Sequence, residues 1–194
     1  LASAGVDVLD VGVVPTPGIA YLTASTEADL GVVLSASHNP AQDNGIKFFA
    51  RGGHKLDDAV EEAIESRLGE PWERPTGGDV GSIIDSAHLA SEYVEHVVAA
   101  VSSFAGVDRP LAGVSVVVDA GHGAASVVGP QALREAGAIV HAINTEPDGL
   151  NINDGVGSTH LESVRHAVLE QGADLGVAYD GDADRCLAID HQGK

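Results

Sequence analysis

Short apolar, β-branched runs alternate along this chain with stretches of helical period, which restricts the fold to an α/β arrangement in which helices cover a sheet. Residues 6–14 read as the first strand. Thr16-Pro17 then offers an N-cap followed by proline at the first helical position, predicting a helix to about Thr26. Leu30–Leu34 and Ile46–Ala50 read as strands. Asp57 caps a helix with Val60, Ala63, Ile64 and Leu68 on its inner face and Glu61 and Glu62 suited to its positive end. Residues 69–78, with Pro71 and Pro75, read as a loop. Asp85 or Ser86 starts a longer helix whose inner row is Leu89, Tyr93, Val97, Val101 and Phe104.

Glycine, proline and polar punctuation over 105–113 separates this unit from a fresh strand at 114–119, so a domain boundary is placed near Val107, giving units 1–106 and 107–194. The second unit reads as strand, helix (124–136), strand (138–143), a long glycine-rich loop, helix and strand (175–178). Its later helix carries a capping-box signature, Thr159 with Glu162, an inner row of Leu161, Val164 and Val168, and a stop at Gly172. The chain opens inside what reads as a helix and closes in a turn after a strand, Cys186–Asp190, that expects a partner. Truncation at both ends is therefore expected.

A formal charge of −19 opposes binding to nucleic acid or anionic lipid, both of which need clustered Lys and Arg. No apolar run approaches the roughly 20 residues that span a bilayer, and the first residues lack the pattern of a signal peptide, so the expected location is the cytoplasm. The lone Cys186 excludes an internal disulfide and paired-thiolate zinc patterns. The same negative charge means that any phosphate ligand would need local positive potential, from a metal ion, a few basic side chains or helix N-termini.

Asp180-Gly181-Asp182-Ala183-Asp184-Arg185 follows the apolar strand 175–178, where a parallel sheet places its ligand-binding loops. Carboxylates at alternate positions of an extended turn can converge on one point, and three hard oxygens suit Mg²⁺ held partly by a phosphate. These residues alone leave a solvated acidic turn open. An EF-hand fails on register, since the sixth position from Asp180 is Arg185 and the twelfth is His191, where glycine and glutamate are required.

A second apolar strand runs into Ser35-Ala36-Ser37-His38-Asn39-Pro40, and Pro40 forces Asn39 out of helical geometry. Ser37 would sit at an exposed strand end, where His38, Lys47 or a metal could activate its hydroxyl. An ordinary turn fits these six residues as readily, and no G-x-S-x-G surrounds either serine. A different class of function, nucleotide binding, is raised by Gly121-His122-Gly123-Ala124-Ala125-Ser126 after a strand, with Glu146 further on; its third glycine is replaced by Ser126.

With both loops in view, the sequence resembles the α-D-phosphohexomutase family over essentially its whole length and in order. LSASHNPAQDNGIKFF is similar to the family's phosphoserine loop and following strand, YDGDADR to its metal loop, and PDGLNINDGVGSTH to a segment typical of its phosphoglucosamine branch. Val156 stands where many relatives carry cysteine. The resemblance implies two consecutive α/β domains, most of the first and second of four, with mixed sheets flanked by helices. It implies that Ser37 is the phosphorylated serine and that Asp180, Asp182 and Asp184 bind one Mg²⁺ together with a phosphoserine oxygen. Lys47 falls on the family's active-site lysine, Arg185 on the arginine beside the metal ligands and His38 on the histidine after the serine; Lys47 and His38 are the candidates for general base. The implied reaction interconverts glucosamine 6-phosphate and glucosamine 1-phosphate through a glucosamine 1,6-bisphosphate, toward UDP-N-acetylglucosamine and the cell wall. Phosphomannomutase or phosphoglucomutase activity within the family is the alternative. The implied partner is a phosphosugar, and the resemblance leaves room for a homodimer. The family's N-terminal glycine-arginine loop, sugar-recognition loop and C-terminal phosphate-gripping loop find no equivalent here, so the 194-residue chain by itself is expected to be inactive.

Overall fold

Residues 114–194 build one continuous sheet in the computed structural model, which describes all of residues 1–194. Strands β6 (Ser115–Asp119), β7 (Ile139–Ile143) and β8 (Leu175–Tyr179) are parallel, and β9 (Cys186–Asp190) closes one edge antiparallel to β8, in the order β7-β6-β8-β9. The central β6 is buried on both faces, which is why it reads as an unbroken valine run. Val117, Ala178 and Ile189 pack on one face against Val164 and Val168 of α5 (Glu162–Gln171). Val116, Val118 and Ala138 pack on the other with Leu133 of α4 (Ala125–Glu135) and Tyr179. Helix α5 ends at Gly172 in the left-handed conformation, as its sequence requires. The expected capping box does not form: Thr159 belongs to a short 3₁₀ turn, Gly157–Thr159, and α5 starts after Leu161 with no side-chain cap.

The first unit is more open. Strand β1 (Val8–Asp10) pairs in parallel only with β5 (Ile83–Asp85), while β2 (Leu30–Leu34), β3 (Ile46–Ala50) and β4 (His54–Lys55) form a separate antiparallel sheet. A cleft of about 860 Å³ lies between them, bordered by Leu9, Val11, Val32, Leu34 and the Ser37 loop. The first strand is shorter than expected because β5 supplies partners only at 8–10 and Gly12, at φ 71°, bends the chain away.

Helix α1 (Thr16–Ser25) packs Leu22 with Val14 and Leu89. Its N-cap is Pro15, not Thr16, whose hydroxyl is committed elsewhere. Helix α3 (Leu89–Ala105) begins later than expected because Asp85 ends β5 and accepts the Ala87 N–H. Leu89 and Val94 are buried, but the expected inner row emerges at its far end, where Val101 is exposed and Phe104 is 95% exposed. Helix α2 (Asp58–Ser66) buries nothing; Val60, Ala63 and Ile64 face solvent, against expectation, because no element covers them. In the loop that follows, Trp72 is half-exposed, with the Arg74 guanidinium 5.3 Å from its ring centre.

Candidate active site

The two motif loops meet where the units touch, each delivered by a strand end. Beyond β2 the chain turns at Ser37, which adopts φ 57°, a conformation that costs a non-glycine residue about 1–2 kcal/mol and persists only where neighbours fix it. Ser35 Oγ accepts the Ser37 N–H at 2.9 Å, so Ser35 has a definite structural task. Gly45, the residue before β3, permits this turn, because a Cβ there would lie 2.3 Å from the Ser35 carbonyl oxygen.

Beyond β8 the chain enters the carboxylate loop. The Ser37 hydroxyl donates to Asp180 Oδ2 at 2.9 Å. Lys47 Nζ, projecting from β3, donates to Asp182 Oδ2 at 2.5 Å and to Asp184 Oδ2 at 2.9 Å. Asp180 and Asp182 are buried and Asp184 is exposed, and one oxygen from each lies within 4.8 Å of the others. Burial pushes the Asp180 carboxyl up, and the Asp182 and Asp184 charges add to the rise against the opposing Ser37 hydroxyl and Arg185 N–H. Burial acts the same way on Asp182, but hydrogen bonds from Lys47 and Thr16 outweigh it and hold that carboxyl below its usual range. Burial would lower Lys47, yet its bonds to Asp182 and Asp184 win and raise it, so it is held as an ammonium. The arrangement concentrates negative charge that Lys47, with Arg185 Nε 3.8 Å from Asp184 Oδ1, only partly offsets.

These residues fit a hard divalent cation. The donors are all carboxylate oxygens, and Asp182 Oδ1 is buried without any hydrogen-bond partner, an acceptor that a cation would satisfy.

Arg185 Nη1 donates to His38 Nδ1 at 3.0 Å, joining the remaining two motif residues across the same seam. Since arginine only donates, His38 Nδ1 is the acceptor in this contact. Lys47, held as an ammonium, and Arg185 bring positive charge to the carboxylates, and the Arg185 contact orients the His38 ring.

Three further residues complete the site and carry weak sequence signals. Thr16 donates its hydroxyl to Asp182 Oδ2 at 2.5 Å and its N–H to the Asp182 carbonyl at 2.9 Å, tying the start of α1 to the carboxylate loop. Fully buried Asp119, at the end of β6, accepts the N–H groups of Gly121 and Gly157 and the Ser163 hydroxyl. Asn153, from the long glycine-rich loop, donates to backbone carbonyls of the serine loop. In sequence Thr16 reads as an N-cap, Asp119 as the last residue of a strand and Asn153 as part of the glycine-rich loop.

The glycines at 121 and 123 serve packing within the protein. A Cβ at Gly123 would lie 2.3 Å from the Gly181 carbonyl oxygen, so the turn is pressed against the carboxylate loop.

Two family models match the chain: phosphoglucomutase/phosphomannomutase, alpha/beta/alpha domain I, over residues 1–73, and domain II over residues 91–193. The phosphoglucosamine mutase of Acidothermus cellulolyticus is 62% identical over 193 residues, covering 100% of this chain and 41% of that protein. That of a Nocardioides species is also 62% identical over 193 residues, covering 100% of this chain and 42% of that protein. The chain thus spans about two fifths of the length of these curated relatives. A crystal structure of a phosphoglucomutase/phosphomannomutase family protein from Burkholderia thailandensis is similar at a TM-score of 0.78 and 28% identity, over 100% of this chain and 42% of that one.

Proposed function

The chain belongs to the phosphoglucomutase/phosphomannomutase family, and from that premise we propose that the protein is a phosphoglucosamine mutase working through a phosphorylated Ser37. The observation that carries this reading is the Ser37 hydroxyl 2.9 Å from Asp180, at the edge of three carboxylates whose oxygens lie within 4.8 Å. The names of the 62% identical relatives favour glucosamine over the other phosphosugars of the family.

In the first half-reaction a hydroxyl oxygen of glucosamine 6-phosphate bonds to phosphorus while the bond from phosphorus to Ser37 Oγ breaks. The hydroxyl loses its proton, Ser37 regains one, and a 1,6-bisphosphate forms. After the bisphosphate turns over, the Ser37 hydroxyl loses its proton and Oγ bonds to the phosphorus of the 6-phosphate while the bond from that phosphorus to the sugar O6 breaks and O6 takes up a proton, leaving glucosamine 1-phosphate and restoring the phosphoserine. Asp180, Asp182 and Asp184, with an oxygen at Ser37, would hold Mg²⁺, which when bound neutralises charge on the transferring group. Lys47 adds positive charge on the same side. Arg185 fixes His38 beside the serine. Phosphoryl transfer draws on positioning and charge neutralisation more than on covalent chemistry, so this set of residues suits it.

Within this reading residues 1–106 form the domain that carries the serine and residues 107–194 the domain that carries the metal, and the protein works in the cytoplasm. Intact mass before and after incubation with glucosamine 1,6-bisphosphate tests it. A single added phosphate that maps to Ser37 is the expected result, and no uptake, or uptake elsewhere, overturns it.

A further inference from the structure

Ser37 is held in its left-handed conformation from two sides. One support, Ser35, belongs to its own loop. The other comes from the second unit: Asn153 Nδ2 donates to the Ser37 carbonyl and to the Asn39 carbonyl, both at 2.9 Å. Asn153 is 6% exposed and sits at φ 57°, and its own N–H is tied to the Gly121 carbonyl at 2.9 Å. The loop that delivers it is braced internally. Asp148 Oδ1 accepts the N–H groups of Leu150 and Asn151, and Asn151 in turn accepts the Asp148 N–H and donates to the Glu146 carbonyl. Gly181 of the carboxylate loop lies against this contact, since a Cβ there would fall 2.6 Å from the Ser37 carbonyl oxygen and 2.8 Å from Asn153 Nδ2.

The geometry points to Asn153 as a positioning residue that clamps the serine loop onto the carboxylate loop, setting where Ser37 Oγ stands over Asp180; this rests on the phosphoserine reading above. The chemistry of the clamp is specific. One nitrogen must donate to two carbonyls, which a terminal amide can do, whereas a hydroxyl offers one donor and a carboxylate only acceptors. The amide's orientation follows from its neighbours, because turning it over would set its oxygen against two carbonyl oxygens. It keeps this orientation although its Oδ1 is then buried with no partner. Asparagine also tolerates the left-handed backbone that aims the side chain at the serine loop.

The test uses the complete enzyme with Mg²⁺ and compares Asn153→Gly, Asn153→Asp and Ser37→Ala. Glycine keeps the left-handed backbone and removes the clamp; aspartate keeps the size and replaces donors with acceptors. Because a misplacement on the scale of 1 Å can cost about 100-fold, kcat should fall roughly 30- to 100-fold in both Asn153 variants. KM should change less than about threefold, a split that general loss of structure would not produce, and the melting temperature of Asn153→Gly should stay near that of the parent. If both variants keep kcat within about threefold while Ser37→Ala is inactive, the clamp is refuted and the phosphoserine reading stands. If neither Asn153 variant folds, Asn153 is a residue of the fold and the positioning role is likewise overturned. Normal turnover in Ser37→Ala would instead remove the phosphoserine reading and this inference with it.

Discussion

The two units differ in how firmly they are built. The second has one four-stranded sheet with a packed cluster on each face, whereas the first has two separate sheets, a small core around Val14, Leu22 and Leu89, and a cleft between the sheets. The serine comes from the open unit and the carboxylates from the packed one. Every contact that places Ser37, Lys47 and Thr16 against Asp180 and Asp182 crosses the seam between them. The site is therefore a property of the seam: the packed unit supplies a reference, and the open unit meets it through the apolar packing of α3 on α4 and through the polar contacts of the motif loops.

If that division is right, substitutions should act differently on either side. The largest effect belongs to Ser37→Ala in the complete enzyme. Turnover should fall by more than about 10⁴-fold, since the group that carries the phosphate is gone, with the melting temperature nearly unchanged. A coupled assay for glucosamine 1-phosphate reads it, and near-normal turnover would end the serine's role.

On the packed side, Asp182→Ala should weaken Mg²⁺ binding at least about 10- to 100-fold, because even outer partners of a metal site are worth that much. Calorimetry on the 194-residue chain is sufficient, and an unchanged affinity would return the loop to a solvated acidic turn. Next in size is the contrast between cores. Val118→Ala, in a strand buried on both faces, should cost about 2 kcal/mol by chemical denaturation, and Val33→Ala, beside the cleft, about 1 kcal/mol. Equal costs would break the comparison. Smallest is Ile64→Ser on the uncovered face of α2, expected within about 0.5 kcal/mol.

Much of this was legible in the residues. Strands Leu30–Leu34 and Ile46–Ala50 and helix α5 with its buried Val164 and Val168 follow directly from apolar period and stop signals. The seven motif residues, Ser37, His38, Lys47, Asp180, Asp182, Asp184 and Arg185, stand in two short motifs and one strand, and the fold brings them together at the seam. What failed did so where a local pattern depended on a distant partner. The period of Val60, Ala63 and Ile64 is that of an inner face, but period alone does not provide a surface to cover it. Three-residue β5 is too short to carry a signal without its partner β1. Thr16 has the form of an N-cap, and only the folded chain reveals that Asp182 takes its hydroxyl. Asn153 and Asp119 were hidden for the same reason, as polar residues with partners far along the chain, the Ser37 and Asn39 carbonyls for Asn153 and the Gly157 N–H and Ser163 hydroxyl for Asp119.

Trp72 decides how the unfolding of this protein should be watched. The chain has one tryptophan, a residue 54% exposed in a loop, beneath an arginine and outside every buried cluster. From that exposure, its emission is expected to be near that of a solvated indole in the native state and to shift little when the sheets come apart. A fluorescence melt would follow one solvated loop and miss both cores. Tyr179 is the chromophore that belongs to the packed unit, and burial pushes its phenol up to about 12. Burial also raises the Tyr93 phenol of the first unit, so tyrosine ionisation followed by ultraviolet absorbance should show Tyr179 and Tyr93 titrating late in the folded protein and lose the Tyr179 component when the second unit opens.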